Sequence, residues 1–70
     1  MPQPVILQVN GSAREYSSCV TLASLLEDLG LKAPGLVVEL NGKVVARSEF
    51  AVRVLEDQDR VEILQLVGGG

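Results

Sequence analysis

Histidine and tryptophan are absent from the sequence, and Cys19 is its single cysteine. One cysteine cannot close an internal disulfide, which excludes a disulfide-stabilised scaffold. Without histidine, the chain cannot form a common zinc site or a Cys–His or Ser–His nucleophile pair, and no metal site is expected. No apolar run approaches the roughly 20 residues that a membrane span needs. Met1–Pro4 lack the features of a signal peptide, so a cytoplasmic location without membrane association is expected.

Charged residues are also few. Six basic and nine acidic residues give a net charge of −3, so a nucleic-acid partner is not expected. The 47% hydrophobic content excludes a disordered chain. A domain of this length buries only roughly 60% of its unfolded surface, which leaves little room for a catalytic cleft. We therefore expect a carrier, a subunit or an interaction module, and not a self-contained enzyme.

The first half of the chain predicts a hairpin followed by a helix. Val5–Asn10 and Ser12–Ser17 have strand character, with Tyr16 as an apolar anchor, and the Asn-Gly pair between them is typical of a type I′ turn. Thr21–Leu29 then places leucines at helical spacing. Its first residue is a good N-cap, and Gly30 suits the left-handed position after the helix. Cys19, just before the helix, is expected to be a small buried side chain.

The second half predicts short strands separated by turns. In order, the segments are a strand Leu36–Leu40, a turn Asn41-Gly42, a return strand Lys43–Ala46, a turn or short 3₁₀ segment Arg47–Ala51 with Phe50 inward, an extended segment Val52–Leu55, an acidic turn Glu56–Arg60 and a final strand Val61–Val67. One amphipathic helix can cover only one face of a mixed sheet. The order therefore predicts an α+β protein with a β-grasp fold over residues 1–67 and a flexible glycine tail over residues 68–70.

The three glycines after the last strand are the feature that suggests chemistry. Glycine has no Cβ, so Gly68 and Gly69 could pass through a narrow channel in a partner. Three extended residues span at most roughly 10 Å, enough to carry the Gly70 carboxylate into a pocket. Adenylation with ATP would make that carboxylate an acyl group open to attack by sulfur. The alternative is a frayed end with no function.

Two surface features bear on partners. If Val61 and Ile63 face the helix, Leu64 and Leu66 are exposed beside the tail, where Ile6 could join them in a docking patch. The alternative is a bulge that turns Leu66 back into the core. The acidic turn lacks the spacing of a calcium loop, and as a solvated surface it could steer the chain toward a basic groove.

Several segments together resemble a known family. They are Leu7–Asn10, Thr21–Leu29, Val38–Asn41, Val44–Phe50, Glu56–Ile63 and Leu66–Gly70. Over nearly the whole chain they resemble the ThiS family of small ubiquitin-related sulfur carriers. Ala46 stands where the family often has proline, Phe50 where it often has tryptophan, and Gln58 where it often has glycine. If that turn needs a positive φ, Gln58 bears a modest steric cost.

The resemblance implies a role as a protein cosubstrate with no catalytic residue and no bound cofactor. A ThiF-like enzyme would use ATP to adenylate Gly70, and a sulfur donor of the cysteine desulfurase type would lead to a C-terminal thiocarboxylate. A ThiG-like thiazole synthase would then take the sulfur into the thiazole of thiamine. Alternatives are a MoaD-like small subunit of molybdopterin synthase, a carrier for another sulfur pathway, and a ubiquitin-like interaction module with an inert tail.

Overall fold

The computed structural model describes residues 4–17, 19–32 and 35–66. In chain order, the elements are β1 (Val5–Val9), β2 (Ser12–Tyr16), β3 (Val20–Thr21), α1 (Leu22–Asp28), β4 (Leu36–Leu40), β5 (Lys43–Val45), a 3₁₀ turn (Arg47–Glu49), β6 (Val54–Leu55) and β7 (Arg60–Gln65). None of the helices within these ranges is long and apolar enough to cross a bilayer.

The main sheet has five strands in the order β2-β1-β7-β4-β5. β1 and β7 are parallel, and the other neighbouring strands are antiparallel. The first and last strands of the chain therefore lie side by side in the middle of the sheet. This mixed sheet with one main helix confirms the predicted α+β class and β-grasp fold.

The core forms between the helix and one face of the sheet. Its buried members are aliphatic side chains from nearly every element: Leu7, Val9, Val20, Leu22, Leu25, Leu26, Val38, Val45, Leu55, Val61 and Ile63. The strand members alternate with exposed or partly exposed residues, as expected where one sheet face is covered. The helix contributes the leucines of a single face, which is why the 3.6-residue period was visible in the sequence.

Both ends of α1 carry the predicted caps. The Thr21 hydroxyl accepts a hydrogen bond from the Ser24 amide (3.1 Å), and the Ser24 hydroxyl accepts one from the Thr21 amide (2.9 Å). At the other end, Gly30 has a φ of 73°, and the amides of Gly30 and Leu31 donate back to carbonyls of the last turn. This is a Schellman motif, which requires a left-handed residue at its centre.

Tyr16 joins the edge strand β2 to the helix. It packs partly against the core, and its hydroxyl donates to an Asp28 carboxylate oxygen (3.0 Å). The Arg14 Nε atom donates to the Tyr16 hydroxyl (3.3 Å), and this hydrogen bond, together with the nearby Asp28, raises the pKa of Arg14. Tyr16 is thus an anchor with a polar end, beyond the apolar role predicted for it.

A small second sheet was not predicted from the sequence. Val20–Thr21 pairs antiparallel with Val54–Leu55, and this pairing buries Val20 and Leu55. The predicted extended segment Val52–Leu55 is wrong at Val52, which lies in a turn because its amide donates to the Glu49 carbonyl (3.1 Å). Phe50 packs against the core beside the 3₁₀ turn, as predicted.

The prediction that Cys19 is buried is wrong. Cys19 is exposed, whereas the adjacent Val20 is buried. Successive side chains of an extended segment point to opposite sides, so only one of the two can face the core. The larger aliphatic side chain takes that place, and the thiol faces solvent.

Gln58 occupies the left-handed region with a φ of 72°, so the turn does need a positive φ. Glycine adopts this conformation without the Cβ clash, and Gln58→Gly is therefore expected to raise the free energy of unfolding by about 1 kcal/mol. Urea denaturation measures the change. Gln58→Ala is the matched control, because it keeps the Cβ and should give no gain. Equal stabilisation by both variants would show that the strain is not the cause.

Candidate functional site

The strand that leads into the glycine tail lies in the centre of the main sheet. β7 pairs with β1 on one side and with β4 on the other. The pairing with β4 continues one residue beyond the strand, because the Leu66 amide donates to the Gly35 carbonyl (3.0 Å). Val67 and the tail residues Gly68, Gly69 and Gly70 lie outside the described residues. The chain is therefore still hydrogen-bonded on the β4 side at Leu66, the last described residue before the tail.

An apolar patch lies on the sheet face opposite the helix. Leu64 is 59% exposed and Leu66 is 61% exposed, whereas Val61 and Ile63 of the same strand are buried. Val37 of β4 lies directly opposite Leu64 in the antiparallel register. We call Val37, Leu64 and Leu66 the Leu64 patch. The exposure of Leu66 contradicts the alternative in which a bulge returned it to the core, while the docking role of the patch stays a prediction.

Ile6 does not belong to this patch. The parallel register places Gln8 opposite Arg60, and the Gln58 amide donates to the Ile6 carbonyl (2.7 Å). Ile6 therefore lies beside residue 58, in the turn before β7. Ile6 precedes Gln8 by two residues and Leu64 follows Arg60 by four, so the two are separated by about 20 Å along the strand direction at the usual rise per residue. The expectation that Ile6 joins Leu64 and Leu66 is therefore wrong. β1 and β7 run in the same direction, and Ile6 lies near the start of β1, whereas Leu64 lies near the end of β7.

Two carboxylates of the acidic turn form hydrogen bonds within the turn and to neighbouring segments. The Asp57 carboxylate accepts from the Ile6 amide (2.8 Å). The Asp59 carboxylate accepts from the Glu56 amide (2.8 Å) and from the Asn41 side chain (3.0 Å). Within residues 4–17, 19–32 and 35–66, no group of three or more His, Cys, Asp or Glu side chains is placed to hold a metal ion. The proposed steering by this turn stays a prediction.

Gly35 is a functional candidate that the sequence reasoning missed. A Cβ atom on Gly35 would lie 2.7 Å from the Leu66 carbonyl oxygen, closer than real Cβ contacts allow. Because Gly35 has no Cβ, the Leu66 carbonyl can lie close to it at the point where the tail begins. The sequence carries no local sign of this need, because the contact joins residues far apart in the chain.

The β-grasp domain has an exposed apolar patch on a central strand that is paired on both edges. The sequence continues from this strand into the glycine run. The model of the ThiS family matches residues 7–70 of this chain. The chain belongs to the ThiS family. A crystal structure of the thiamine biosynthesis protein ThiS from Geobacter metallireducens matches with a TM-score of 0.80 and 35% sequence identity, covering 94% of this chain and 100% of that one.

Two further relatives differ in how much of their own length is matched. The sulfur carrier protein ThiS of Escherichia coli is 28% identical over 61 residues, covering 87% of this chain and 92% of that protein. A thiazole synthase of Paramagnetospirillum magneticum is 36% identical over 64 residues, covering 91% of this chain. This chain spans only 20% of the length of that thiazole synthase. A segment similar to this chain thus occurs within that larger thiazole synthase.

Proposed function

We propose that this protein carries sulfur for thiazole formation in thiamine biosynthesis, with the Gly70 carboxylate as the group that is loaded. The observation that carries the proposal is the exposed Leu64 patch on the central strand that leads into the glycine tail of a ThiS-family chain. The patch would seat the domain on a partner. The tail would carry the carboxylate into the partner's active site.

The proposed loading has two steps. A carboxylate oxygen of Gly70 attacks the α-phosphorus of ATP, pyrophosphate leaves, and an acyl adenylate forms. A hydrosulfide ion then attacks the acyl carbon, the bond to the AMP oxygen breaks, and a thiocarboxylate remains. Where a cysteine-desulfurase-type donor supplies the sulfur as a persulfide, a thiol reduces the sulfur–sulfur bond. ATP is thus consumed by a ThiF-like activating enzyme, and the carrier is a cosubstrate that is not itself an enzyme and binds no cofactor.

Thiazole synthase is the proposed acceptor of the sulfur. The similarity between this chain and a segment of a thiazole synthase supports this choice, because carrier and acceptor would then share one polypeptide in that organism. Membership of the family supports the proposed ThiF-like enzyme and sulfur donor. The cytoplasmic location stays a prediction from the sequence.

Intact-mass measurement tests the proposal. The protein is incubated with ATP, ammonium sulfide and a purified ThiF-like enzyme that is active on its own carrier. We expect a gain in mass equal to the replacement of one oxygen by sulfur, and no gain when ATP is omitted. The mass before incubation shows whether Gly70 is the last residue of the native protein. A carrier that gains no sulfur from a demonstrably active enzyme would contradict the proposal.

A further inference from the structure

Asn10 lies where β1 turns away from β7. Its backbone amide donates to the Val61 carbonyl (2.9 Å), which continues the parallel ladder. The chain then enters a turn with φ values of 49° at Asn10 and 83° at Gly11. Beyond Asn10 the chain turns into β2, so within the described residues the backbone hydrogen bonds between β1 and β7 end here.

The Asn10 side chain replaces the missing peptide. Its Oδ1 atom accepts from the Ile63 amide (2.7 Å), and its Nδ2 atom donates to the Ile63 carbonyl (3.2 Å). A carboxamide offers the same donor and acceptor as a peptide group, so it can extend a strand ladder. The pairing on the β1 side of β7 thereby reaches Ile63, three residues before Leu66.

The opposite edge of β7 is held three residues further toward the tail. The Leu66 amide donates to the Gly35 carbonyl, and the Leu66 carbonyl passes within 2.7 Å of the position that a Cβ of Gly35 would take. The last strand is thus held from one side at Ile63 and from the other at Leu66. These two contacts hold the second half of β7 and the residue that follows it, from which the tail continues.

Asn41 provides an internal comparison. It also begins an Asn-Gly turn, with a φ of 52°, and its side chain accepts from the Arg60 amide (2.9 Å) and donates to Asp59 (3.0 Å). Its contacts hold the beginning of β7, at the end away from the tail. Each turn asparagine thus makes two side-chain hydrogen bonds, Asn10 to the backbone of Ile63 within β7, and Asn41 to Arg60 at the start of β7 and to Asp59 just before it.

We propose that Asn10 is a positioning residue for loading of the tail, acting through Ile63, with Gly35 as its counterpart on the other edge. The inference rests on the proposed function. Four residues follow Leu66, and extended they span at most about 14 Å. Because this reach is short, the position of Leu66 limits where a flexible tail can place the Gly70 carboxylate, and a displacement of about 1 Å can cost a reaction as much as 100-fold.

The test compares Asn10→Gly with Asn41→Gly, because glycine keeps the positive φ and removes only the side-chain hydrogen bonds. Steady-state kinetics with the ThiF-like enzyme follow pyrophosphate release. For Asn10→Gly we expect kcat to fall about three- to tenfold while KM stays within about twofold, since the docking surface is unchanged. Asn41→Gly should leave both constants within about twofold. Asn10→Asp keeps the acceptor for the Ile63 amide but loses the donor, and an intermediate kcat is expected.

Gly35→Ala tests the other edge and should also lower kcat; because it displaces Leu66, a member of the Leu64 patch, a rise in KM is expected with it. Equal losses of kcat for Asn10→Gly and Asn41→Gly would show that Asn10 contributes only to general stability. An unchanged kcat for Asn10→Gly would also overturn the inference. If an active enzyme releases no pyrophosphate from ATP in the presence of the unaltered carrier, the proposed function fails. Loading of the unaltered carrier together with normal kinetics of Asn10→Gly refutes the positioning role alone.

Discussion

Replacing Gly69 with valine is expected to lower kcat/KM for loading of Gly70 by at least about 100-fold without changing the stability of the domain. A valine adds a branched Cβ next to the reacting carboxylate and removes conformations that only glycine adopts freely. The substitution lies after the last described core residues, so the buried aliphatic set is untouched. The tail is thus tested separately from the fold.

A graded series makes this expectation sharper. Gly69→Ala adds a single methyl group and should give a loss between those of the native chain and Gly69→Val. Intact mass over time gives the rate of sulfur gain, and urea denaturation reports the stability of each variant. Normal loading of Gly69→Val would show that the tail need not enter a narrow passage.

Leu64→Gln is the second change with a large expected effect. Leu64 is 59% exposed in the free protein, and burying its exposed area against a partner would contribute about 1–2 kcal/mol, so KM should rise about tenfold. The value of kcat should stay within about twofold, because the reacting end of the tail is unaltered. Glutamine is preferred to aspartate because Glu39 and Glu62 already face each other two residues away on the same face of the sheet.

Val52→Gln is the matched control for the docking patch. Val52 is 73% exposed and lies in the turn before β6, away from the sheet face that carries Leu64. The same change of an exposed aliphatic residue should therefore leave KM unaltered. If both variants raise KM equally, the effect does not arise from the Leu64 patch; if neither does, the patch is not the docking surface.

The parts of the fold that depend on neighbouring residues could be predicted from the sequence. Both Asn-Gly turns have the expected positive φ values, and the leucine period located the helix with its caps. These signals are local, since a turn type or a helix face is specified within a few residues. The exposure of Leu64 and Leu66 followed from the same alternation once one face of the last strand was buried.

The features that depend on distant partners could not be predicted. The β3–β6 pair has only two residues on each side, too few for a periodic pattern. The distance of Ile6 from the Leu64 patch depends on a parallel register that no local signal specifies. Asn10 shows the limit most clearly: its type and its glycine neighbour predict a turn, but the Ile63 backbone that its side chain contacts lies 53 positions along the chain.

The position of β7 between β1 and β4 also has a mechanical consequence. A partner that grips the tail and pulls along the strand would load the hydrogen bonds on both edges together, because ladder bonds run across the strand direction. An edge strand such as β5 could instead be peeled away one bond at a time. If enzymes bind the domain by its tail, as proposed, they could pull on it without unfolding it, and the force required to unfold the domain should depend on the direction of the pull.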